Sequence, residues 1–569
     1  GISAGWHGTE VRTQEGWLID GAKDEGIREA AWIIALTGPH AIVTAPPLRI
    51  DPFNAPFLQL RWRATGLGNA LPFVEWTTEE HSDFGPSRRM YFAAIDGSDV
   101  KYTMVPVYKH PEWRGAITGL RIGFGNTRSA GTVGIQALFT QYDTRHNINN
   151  ANFVIGHAEY FNWTGDLDFL RTEIGRMRIA LRYIMTEFHA DTEDLVLTPW
   201  IGHEGRSGIE YTNDGKKVVH SGNGVGNNYW DLLPMGWKDC YATIQYYDAL
   251  LSMAAIERTV AGHPGWNVPR GPSAFTAEEL EQRAARVKAK GNEVFWNHDT
   301  ERFYCSIDQD GKGHDYGFTF LNLEAVHYGF ATADHAEQIM QWICGDRMIE
   351  GDTSTGADIY HWRFGPRATT RRNIDYYFWA WSSPESIPFG GQVQDGGAVM
   401  GFSYFDLMAR LKTRGPDSVA QRLKEIAAWY GEVSAAGGYR AYYDGSREGT
   451  LQGAGTAGGL GLDAEFFESV LLPQFVVDGL LGLRAEPEGV VLDPRLPADW
   501  PELTVTRIRF RNLTFDVRAT HTTIELRIVS STPAEKNSFR VRAGDGWTPE
   551  EVALDSTAAP GATLTFTRK

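Results

Sequence analysis

Cysteine is scarce in this chain of 569 residues, which contains only Cys240, Cys305 and Cys344. The three lie far apart, and no two form a CxxC pair, so the sequence predicts neither a zinc site nor a disulfide framework. Buried thiols are the ordinary role that remains for them. Long apolar runs are missing as well, because no stretch reaches the roughly 18 residues that a membrane-spanning helix requires.

Basic residues are also in short supply. The chain carries 54 Lys and Arg against 71 Asp and Glu, a formal net charge of −17. Nucleic acids and anionic membranes both need a basic surface, so we expect neither as a partner. The opening GISAGWHGTE lacks the basic and then apolar pattern of a signal peptide. We therefore expect a soluble protein of the bacterial cytoplasm, or of the periplasm or exterior after signal removal.

Aromatic residues, in contrast, are abundant. The 19 Trp, 22 Tyr and 29 Phe give an aromatic share of 12%. Such rings form platforms for sugars, although a large core also takes many of them. The length is several times the ~100 to 200 residues of a typical domain, so we expect two or three folding units.

The hydrophobic pattern changes twice along the chain. Up to about residue 145, alternating runs such as FLQLRWRA (57–64) and TVGIQALF (132–139) are separated by Gly, Pro, Asn and Asp. This spacing predicts an N-terminal β-sandwich over residues 1–145. Alternation returns near residue 486, as in LTVTRIRFRNLTFDVRA (503–519), which predicts a second β-sandwich over 486–569.

Between these regions the apolar period is helical. In DLDFLRTEIGRMRIALRYIM the apolar residues recur every three or four positions, and Asp166 precedes them as a helix N-cap. Further helices are predicted at roughly 238–260, 276–291, 318–329, 333–344, 396–412, 416–431 and 463–482. Helical hairpins spread over residues 146–485 indicate a toroid or bundle, so the predicted fold class is multidomain α+β.

Four stretches together resemble a known group of enzymes. They are NFVIGHAEYFNWTGDLDFLRTEIGRMRIAL, WDLLPMGWKDCYATIQYYDALLSMAAIE, VFWNHDTERFYCSID and LPQFVVDGLLGLRAEPEGVVLDPRLPADWPELTVTRIRFRNLTFDV. The series looks like the (α/α)6-barrel glycoside hydrolases, which include trehalases, family 63 glucosidases, family 65 phosphorylases and α-L-rhamnosidases. The resemblance covers roughly residues 145 to 520. It implies a central (α/α)6 toroid flanked by β-sandwiches, with a carbohydrate site at its loop-lined mouth.

The function implied by this resemblance is hydrolysis of a glycosidic bond by an exo-acting, inverting enzyme without cofactor or metal. The reaction needs one protonated carboxyl group for the leaving oxygen and one carboxylate to activate water. Inverting enzymes hold the two ~6.5–9.5 Å apart, which is easiest when they come from loops remote in sequence. We therefore expect one early and one late acidic residue.

The early candidate is Asp231, in NNYWDLLPMGWKDC. Its apolar neighbours would raise the pKa of the carboxyl group, as a general acid requires. In family 63 and trehalase relatives an acidic Asp lies in a Trp-rich loop shortly before a long barrel helix, and this stretch resembles that placement. Glu204 and Glu210, in WIGHEGRSGIEY, are the competing early acids. Asp239 stands at the start of a helix, where an N-cap is its expected role.

The late candidate stays open among several acids. In GGLGLDAEFFESVLLPQF, the residues Asp463, Glu465 and Glu468 begin a predicted helix, whose dipole would keep a carboxylate ionised. Asp395 lies in QVQDGGAVMGF, where its glycine pair permits close approach to a ligand. Family 63 relatives carry their base near the segment that holds Asp444 and Glu448 here.

A set of aromatic, basic and polar residues completes the predicted substrate site: Trp230, Trp237, Lys238, Asp239, Tyr316, Arg371, Arg372 and Gln394. The arginines, together with Arg367, lie beside aromatics in RFGPRATTRRNIDYYFWAW. Guanidinium groups there could bind a uronate carboxylate or a phosphate bidentately, and the alternative is salt bridges to acids of the barrel.

Three alternative functions remain. Phosphorolysis of a disaccharide replaces the activated water by inorganic phosphate and needs no carboxylate base. Elimination by a uronate lyase needs a base such as Tyr316 or His314 beside an arginine, and the negative charge of the chain disfavours polyanionic substrates. A sugar-binding protein without catalysis would not need so large a barrel.

Overall fold

The computed structural model describes most of the chain. The described residues are 16–52, 55–125, 131–141, 146–198, 209–211, 217–219, 230, 233, 235, 237–309, 311–373, 384–443, 471–532 and 538–569. The chain divides into two compact units, and the main division falls between Arg145 and His146.

The N-terminal unit contains two five-stranded sheets, with strand orders β1-β4-β9-β6-β7 and β2-β3-β10-β5-β8. The strands are Leu18–Asp20 (β1), Ala22–Arg28 (β2), Ala31–Leu36 (β3), Ile42–Thr44 (β4), Phe57–Thr65 (β5), Phe73–Thr78 (β6), Arg89–Tyr91 (β7), Gly97–Val105 (β8), Ile117–Gly123 (β9) and Gly131–Gln141 (β10). All described pairings between these strands are antiparallel, as in a sandwich.

The alternation that predicted this sandwich appears directly in β5. Leu58, Leu60, Trp62 and Ala64 are buried, whereas the intervening polar residues are partly exposed. Because successive side chains of a strand point to opposite faces, one face of β5 packs in the core. Trp62 lies at the centre of that core, with the ring of Phe92 packed edge-on 5.9 Å away.

The second unit begins with helices and short strands. The helices are Asn149–Thr164 (α1), Leu167–Glu187 (α2), Ala190–Glu193 (α3), Cys240–Gly262 (α4), Ala277–Val294 (α5), Thr319–His327 (α6), Ala333–Ile343 (α7), Phe402–Arg414 (α8), Pro416–Ala435 (α9), Tyr439–Tyr442 (α10) and Leu471–Phe475 (α11). One π-helical turn, Val476–Leu480, continues α11. The short strands are Leu197–Thr198 (β11), Ile209–Tyr211 (β12), Lys217–Val219 (β13), Trp237–Asp239 (β14), Trp296–Asn297 (β15), Arg302–Phe303 (β16), Ser306–Ile307 (β17) and Gly313–His314 (β18).

The long helices alternate between an inner and an outer layer. Four hairpins are described, α1 with α2, α4 with α5, α6 with α7 and α8 with α9, and their first members contact one another in series. The helix α8 also contacts α11, which is a fifth inner element. Helix α4 is buried on nearly every side, whereas α2 buries only a stripe that includes Leu170, Ile174 and Leu181. These layers agree with the predicted toroid, and the multidomain α+β prediction is confirmed.

Helix starts follow the predicted caps. The side chain of Asp166 accepts a hydrogen bond from the backbone N–H of Phe169, and Asp239 caps α4 in the same way. One predicted start is wrong, because α8 begins at Phe402 rather than near residue 396. Gly396 has a φ of +84°, which belongs to a turn and not to a right-handed helix. Residues 463–470 of the last predicted helix lie outside the described residues.

The chain ends in two further sheets, with orders β19-β20-β24-β26 and β21-β22-β23-β27-β25. Their strands are Leu483–Glu486 (β19), Gly489–Leu492 (β20), Glu502–Phe510 (β21), Leu513–Thr520 (β22), Thr523–Ser531 (β23), Ser538–Ala543 (β24), Trp547–Thr548 (β25), Glu551–Asp555 (β26) and Thr563–Arg568 (β27). Alternate residues of β22 and β23 fill a separate core, for example Phe515, Val517 and Leu526. Among the described helices, none has the length and apolar character that a membrane span requires.

Four acidic residues of the inner helical elements lie close enough to interact. Glu159 on α1, Asp248 on α4, Glu324 on α6 and Asp478 in the π-turn influence one another electrostatically. Burial raises the pKa of Asp248 to about 6, and the nearby Glu159 carboxylate adds to the shift. Burial also raises the pKa of Glu324 well above its ordinary value, although a hydrogen bond from Gln245 opposes this shift.

The raised pKa of Asp248 predicts a pH-dependent stability. Between pH 4 and 6 the folded state binds more protons at this site than the unfolded chain, so the free energy of unfolding falls as pH rises. The loss is at most about 2–3 kcal/mol at neutral pH. Asp248→Asn removes the titration, and its urea midpoint should rise relative to wild type between pH 4.5 and 7.5, measured by circular dichroism at 222 nm.

Asp168→Asn is the matched control, because the Asp168 side chain is exposed on α2. We expect this variant to follow the wild-type pH profile. A constant difference between Asp248→Asn and wild type at both pH values would contradict the account.

Candidate active site

The amino ends of three inner helices meet at one buried tryptophan. The ring of Trp230 lies 4.9 Å from Phe318, 5.1 Å from Phe320 and 5.5 Å from Phe402, measured between centroids. Phe318 caps α6, Phe402 opens α8, and Tyr241, in the first turn of α4, lies 6.3 Å away. We call this end of the ring the mouth.

Trp230 is only 2% exposed, so its ring serves as an internal wedge between helices. The described rings around Trp230 pack against it within the core, and its contact with a sugar stays a prediction. Trp237 and Lys238, in β14, are half-buried and keep some exposed surface. They remain candidates for substrate contact.

The predicted acids of the site lie mostly outside the described residues. This holds for Asp231, Glu204, Asp463 and Glu465, and also for the rivals Asp444, Glu448 and Glu468. Of Glu210 only the backbone, in β12, is described. The covalent neighbour of Asp231 is the wedge residue Trp230.

Asp239 is the N-cap of α4. Its Oδ1 accepts from the backbone N–H of Ala242 at 2.9 Å, and its Oδ2 accepts from the Asn147 amide at 2.7 Å. The side chain is fully buried. Asn147 precedes α1, so this hydrogen bond ties the starts of α1 and α4 together, and the contact of Asp239 with substrate stays a prediction.

A buried arginine organises the loops beside α6. The guanidinium of Arg302 donates from Nε to Asp315 at 2.8 Å and grips Asp352 with both terminal nitrogens, at 2.6 and 2.8 Å. Its planar group also lies 4.4 Å from the ring of Trp342. Burial alone would raise the pKa of Asp352, but the hydrogen bonds and charge of Arg302 lower it below its ordinary value. The network is therefore ionised and charge-assisted.

The same network fixes a short backbone ladder. Backbone N–H groups of Thr319 and Thr370 donate to Ala368 and Gly317, respectively, each at 2.9 Å. Gly317 has a φ of +59°, and a Cβ at this position would lie 2.0 Å from the Thr370 hydroxyl. Only glycine fits, so the segment 368–371 is held directly against the start of α6.

Arg371 and Arg372 extend this ladder and pair with different acids. Arg371 donates from Nε to Asp352 at 2.8 Å, and Arg372 donates from Nη1 to Asp395 at 2.7 Å. The salt-bridge alternative that the sequence left open is therefore the one observed. Both side chains stay partly exposed, so they also remain candidates for contact with substrate.

Asp395 is engaged on both oxygens. Its Oδ1 accepts from the backbone N–H of Asn373 at 2.7 Å, and its Oδ2 accepts from Arg372. Burial raises the pKa of this carboxyl group, while the Asn373 hydrogen bond and the Arg372 charge oppose the shift. The side chain is fully buried. Both oxygens of Asp395 are thus used in structural hydrogen bonds, and its catalytic role stays a prediction.

Two other predicted contacts lie deep in the protein. Tyr316 and Gln394 are both buried, and the ring of Tyr316 stacks on His314 at 5.8 Å. His314 lies 2.8 Å from the carboxylate of Asp308, through Nε2, and both side chains are buried. These positions disfavour His314 and Tyr316 as bases that act on a polymer.

The residues that organise the loops were not anticipated from the sequence. Arg302 and Asp352 are 50 positions apart, and no local pattern links them. The run Thr369, Thr370, Arg371 and Arg372 was noticed for its charge alone. Asn373, the next residue, carried no signal of its own.

Removing the charge of Arg302 should strongly destabilise the helical unit. Arg302→Met leaves two buried carboxylates without their partner, which costs about 3–5 kcal/mol. Arg302→Lys keeps the charge but loses the bidentate hydrogen bond to Asp352, so its free energy of unfolding should fall by less than that of Arg302→Met. Urea unfolding followed at 222 nm measures both.

Arg176→Lys provides the control, since the Arg176 side chain is exposed on α2 and pairs with Glu173. Its effect should stay within about 0.5 kcal/mol. An Arg302→Met protein with the wild-type urea midpoint would show that the network is not a structural anchor.

The C-terminal sandwich matches a known family model. Residues 483–535 match the model described as Glycosyl hydrolase family 65, C-terminal domain. No curated protein matches the sequence. The match confirms the resemblance to the (α/α)6-barrel glycoside hydrolase group for this part of the chain.

Two solved structures are similar to this chain at low sequence identity. A GH78 family rhamnosidase of a Bacillus species is 11% identical, with 92% of this chain and 54% of that chain covered and a TM-score of 0.39. A GH63 mannosylglycerate hydrolase from Thermus thermophilus is 13% identical, covering 59% and 78%, with a TM-score of 0.35. This chain thus spans about half the length of the GH78 rhamnosidase.

Proposed function

We propose that the protein is a glycoside hydrolase that cleaves a glycosidic bond of an oligosaccharide or glycoside, exo-acting and with inversion. The observation that carries this proposal is the family 65 C-terminal match over residues 483–535. The ring of paired helices that precedes it in the chain supports the proposal, because such rings offer a concave mouth for a ligand.

The mouth is the proposed position of the reaction. The starts of α4, α6 and α8 converge on Trp230, and the next residue in the chain is Asp231. Helix amino ends carry partial positive charge, which stabilises anionic groups that approach them. An apolar wall of this kind also raises the proton affinity of a carboxyl group, as a general acid requires.

The proposed reaction uses two carboxyl groups, one as general acid and one as general base. Asp231 is the proposed acid, which donates its proton to the glycosidic oxygen as the bond to the sugar breaks. Glu465 is the proposed base, with Asp463 and Glu204 as rivals, and it takes a proton from the water that attacks the opposite face. The acid ends deprotonated and the base protonated, so proton exchange with solvent restores both.

The proposal predicts a leaving-group effect for Asp231→Asn. The amide keeps the shape of the side chain but supplies no proton, so turnover of a substrate with a poor leaving group should fall by roughly 10²–10⁴. A nitrophenyl glycoside, whose leaving group departs without protonation, should be affected much less. Rates of both substrate types, measured for wild type and variant, give the test.

Glu204→Gln is the comparison variant, because Glu204 is the rival early acid. We expect it to retain the wild-type ratio between the two substrate types. Near-normal turnover by Asp231→Asn with an inactive Glu204→Gln would reverse the assignment.

Phosphorolysis is the second candidate, and the family 65 match favours it because that resemblance includes phosphorylases. In this reaction phosphate attacks in place of water, so a sugar 1-phosphate is released. Incubation of disaccharides with and without inorganic phosphate separates the two candidates. Activity that needs phosphate would replace hydrolysis as the proposed reaction.

A further inference from the structure

One buried amide near the mouth has no hydrogen-bond partner within the described part of the chain. Asn373 is only 7% exposed, and its side-chain Nδ2 makes no hydrogen bond to any described residue. Most buried polar groups in folded proteins are paired, so an unpaired amide needs an explanation. Leaving it unpaired lowers the stability of the folded protein.

The backbone of Asn373 is held in place by strong contacts. Its N–H donates to Asp395 at 2.7 Å, and Asp395 also accepts from Arg372 at 2.7 Å. Arg372 is fixed in turn, because its other terminal nitrogen donates to the carbonyl of Ile387 and its backbone N–H donates to Thr353. We call Arg372, Asn373 and Asp395 the clamp.

The clamp stands next to the mouth. The backbone N–H of Arg371 donates to the carbonyl of Tyr316 at 3.2 Å, and Phe318 forms a bridge with Thr369. Phe318 is one of the rings that enclose Trp230. Asn373 therefore lies four residues after Thr369, whose bridge with Phe318 borders the start of α6.

We propose that the side-chain amide of Asn373 binds a hydroxyl group of the sugar substrate. An asparagine amide offers both a donor and an acceptor, which matches the dual character of a hydroxyl group. The charge of Arg372 is balanced by its ion pair with Asp395. The neutral Asn373 amide is therefore the group that contacts the ligand, which fits an uncharged sugar. In this arrangement Asp395 is a positioning residue.

This inference rests on the proposed function and names the class of substrate as a neutral sugar. The unpaired amide lowers the stability of the free protein. Bound substrate supplies the missing hydrogen bond, so the same amide raises the affinity for substrate. A residue that only supports the fold would behave in the opposite way.

Asn373→Ala separates these two roles through two readouts. It removes the unpaired amide, so the melting temperature should stay the same or rise. It also removes the contact with substrate, so kcat/KM should fall roughly 10–100-fold. A melting temperature lowered by several degrees with unchanged kcat/KM would overturn the proposal.

Asn292→Ala is the matched control for stability. Asn292 is also 7% exposed, but its amide donates to the carbonyls of Lys288 and Phe330, far along the chain from the clamp. We expect a lower melting temperature and an unchanged kcat/KM for the folded fraction.

Monodeoxy nitrophenyl glycosides identify the hydroxyl group. With wild type, kcat/KM for one deoxy substrate should be lower than kcat/KM for the parent glycoside. The size of this fall should equal the fall that Asn373→Ala causes with the parent glycoside. On that deoxy substrate, kcat/KM of Asn373→Ala should be close to kcat/KM of wild type, because the substitution and the missing hydroxyl group remove the same contact. Independent, additive losses on every deoxy substrate would contradict the assignment.

Binding without turnover keeps this inference separate from the proposed function. Saturation-transfer NMR with D-glucose, D-mannose, D-galactose and L-rhamnose reports binding by wild type and by Asn373→Ala. If wild type binds a sugar and Asn373→Ala does not, the result supports the inference, whether or not a glycoside is cleaved. If no glycoside is cleaved, that second result counts against the proposed hydrolysis and not against this inference. Equal binding by both proteins, or binding by neither, would overturn the inference.

Discussion

The loops around the mouth depend on one buried cation. Arg302 is fully buried, and two carboxylates from different loops, Asp315 and Asp352, meet on its guanidinium. Burying three charges is unfavourable unless each is paired and hydrogen-bonded, and here the pairing is complete enough to lower the pKa of Asp352 against the effect of burial. The start of α6 and the segment 368–371 are therefore forced into one arrangement.

A chain of contacts leads from Asp352 to Asn373. Asp352 also binds Arg371, and the next residue, Arg372, binds Asp395. Asp395 then fixes the backbone of Asn373. Arg371 and Arg372 keep partly exposed side chains along this path, whereas Asp395 and Asn373 at its end are buried. Apolar packing acts in parallel, because Trp230 wedges the starts of α4, α6 and α8.

The sequence predicted those features that have a local cause. The three-to-four period of α2, the alternation of β5 and the caps Asp166 and Asp239 all follow from neighbouring residues. The wedge position of Trp230 was not predicted, because a Trp beside an acid looks the same whether its ring is a platform or a wedge. The partners of Asp395 were not predicted either, because they lie 22 and 23 positions away and no local pattern reveals them. The Arg302 network, which spans 50 positions, was missed for the same reason.

The central claim is that substrate binds at the end of the ring where the inner helices begin. Hydrogen–deuterium exchange, with and without a monosaccharide that binds the protein, tests this claim directly. The account predicts ligand-dependent protection in peptides that cover 316–320, 371–373 and 402–405. Protection confined to the opposite helix ends, near 258–263 and 410–415, would contradict it.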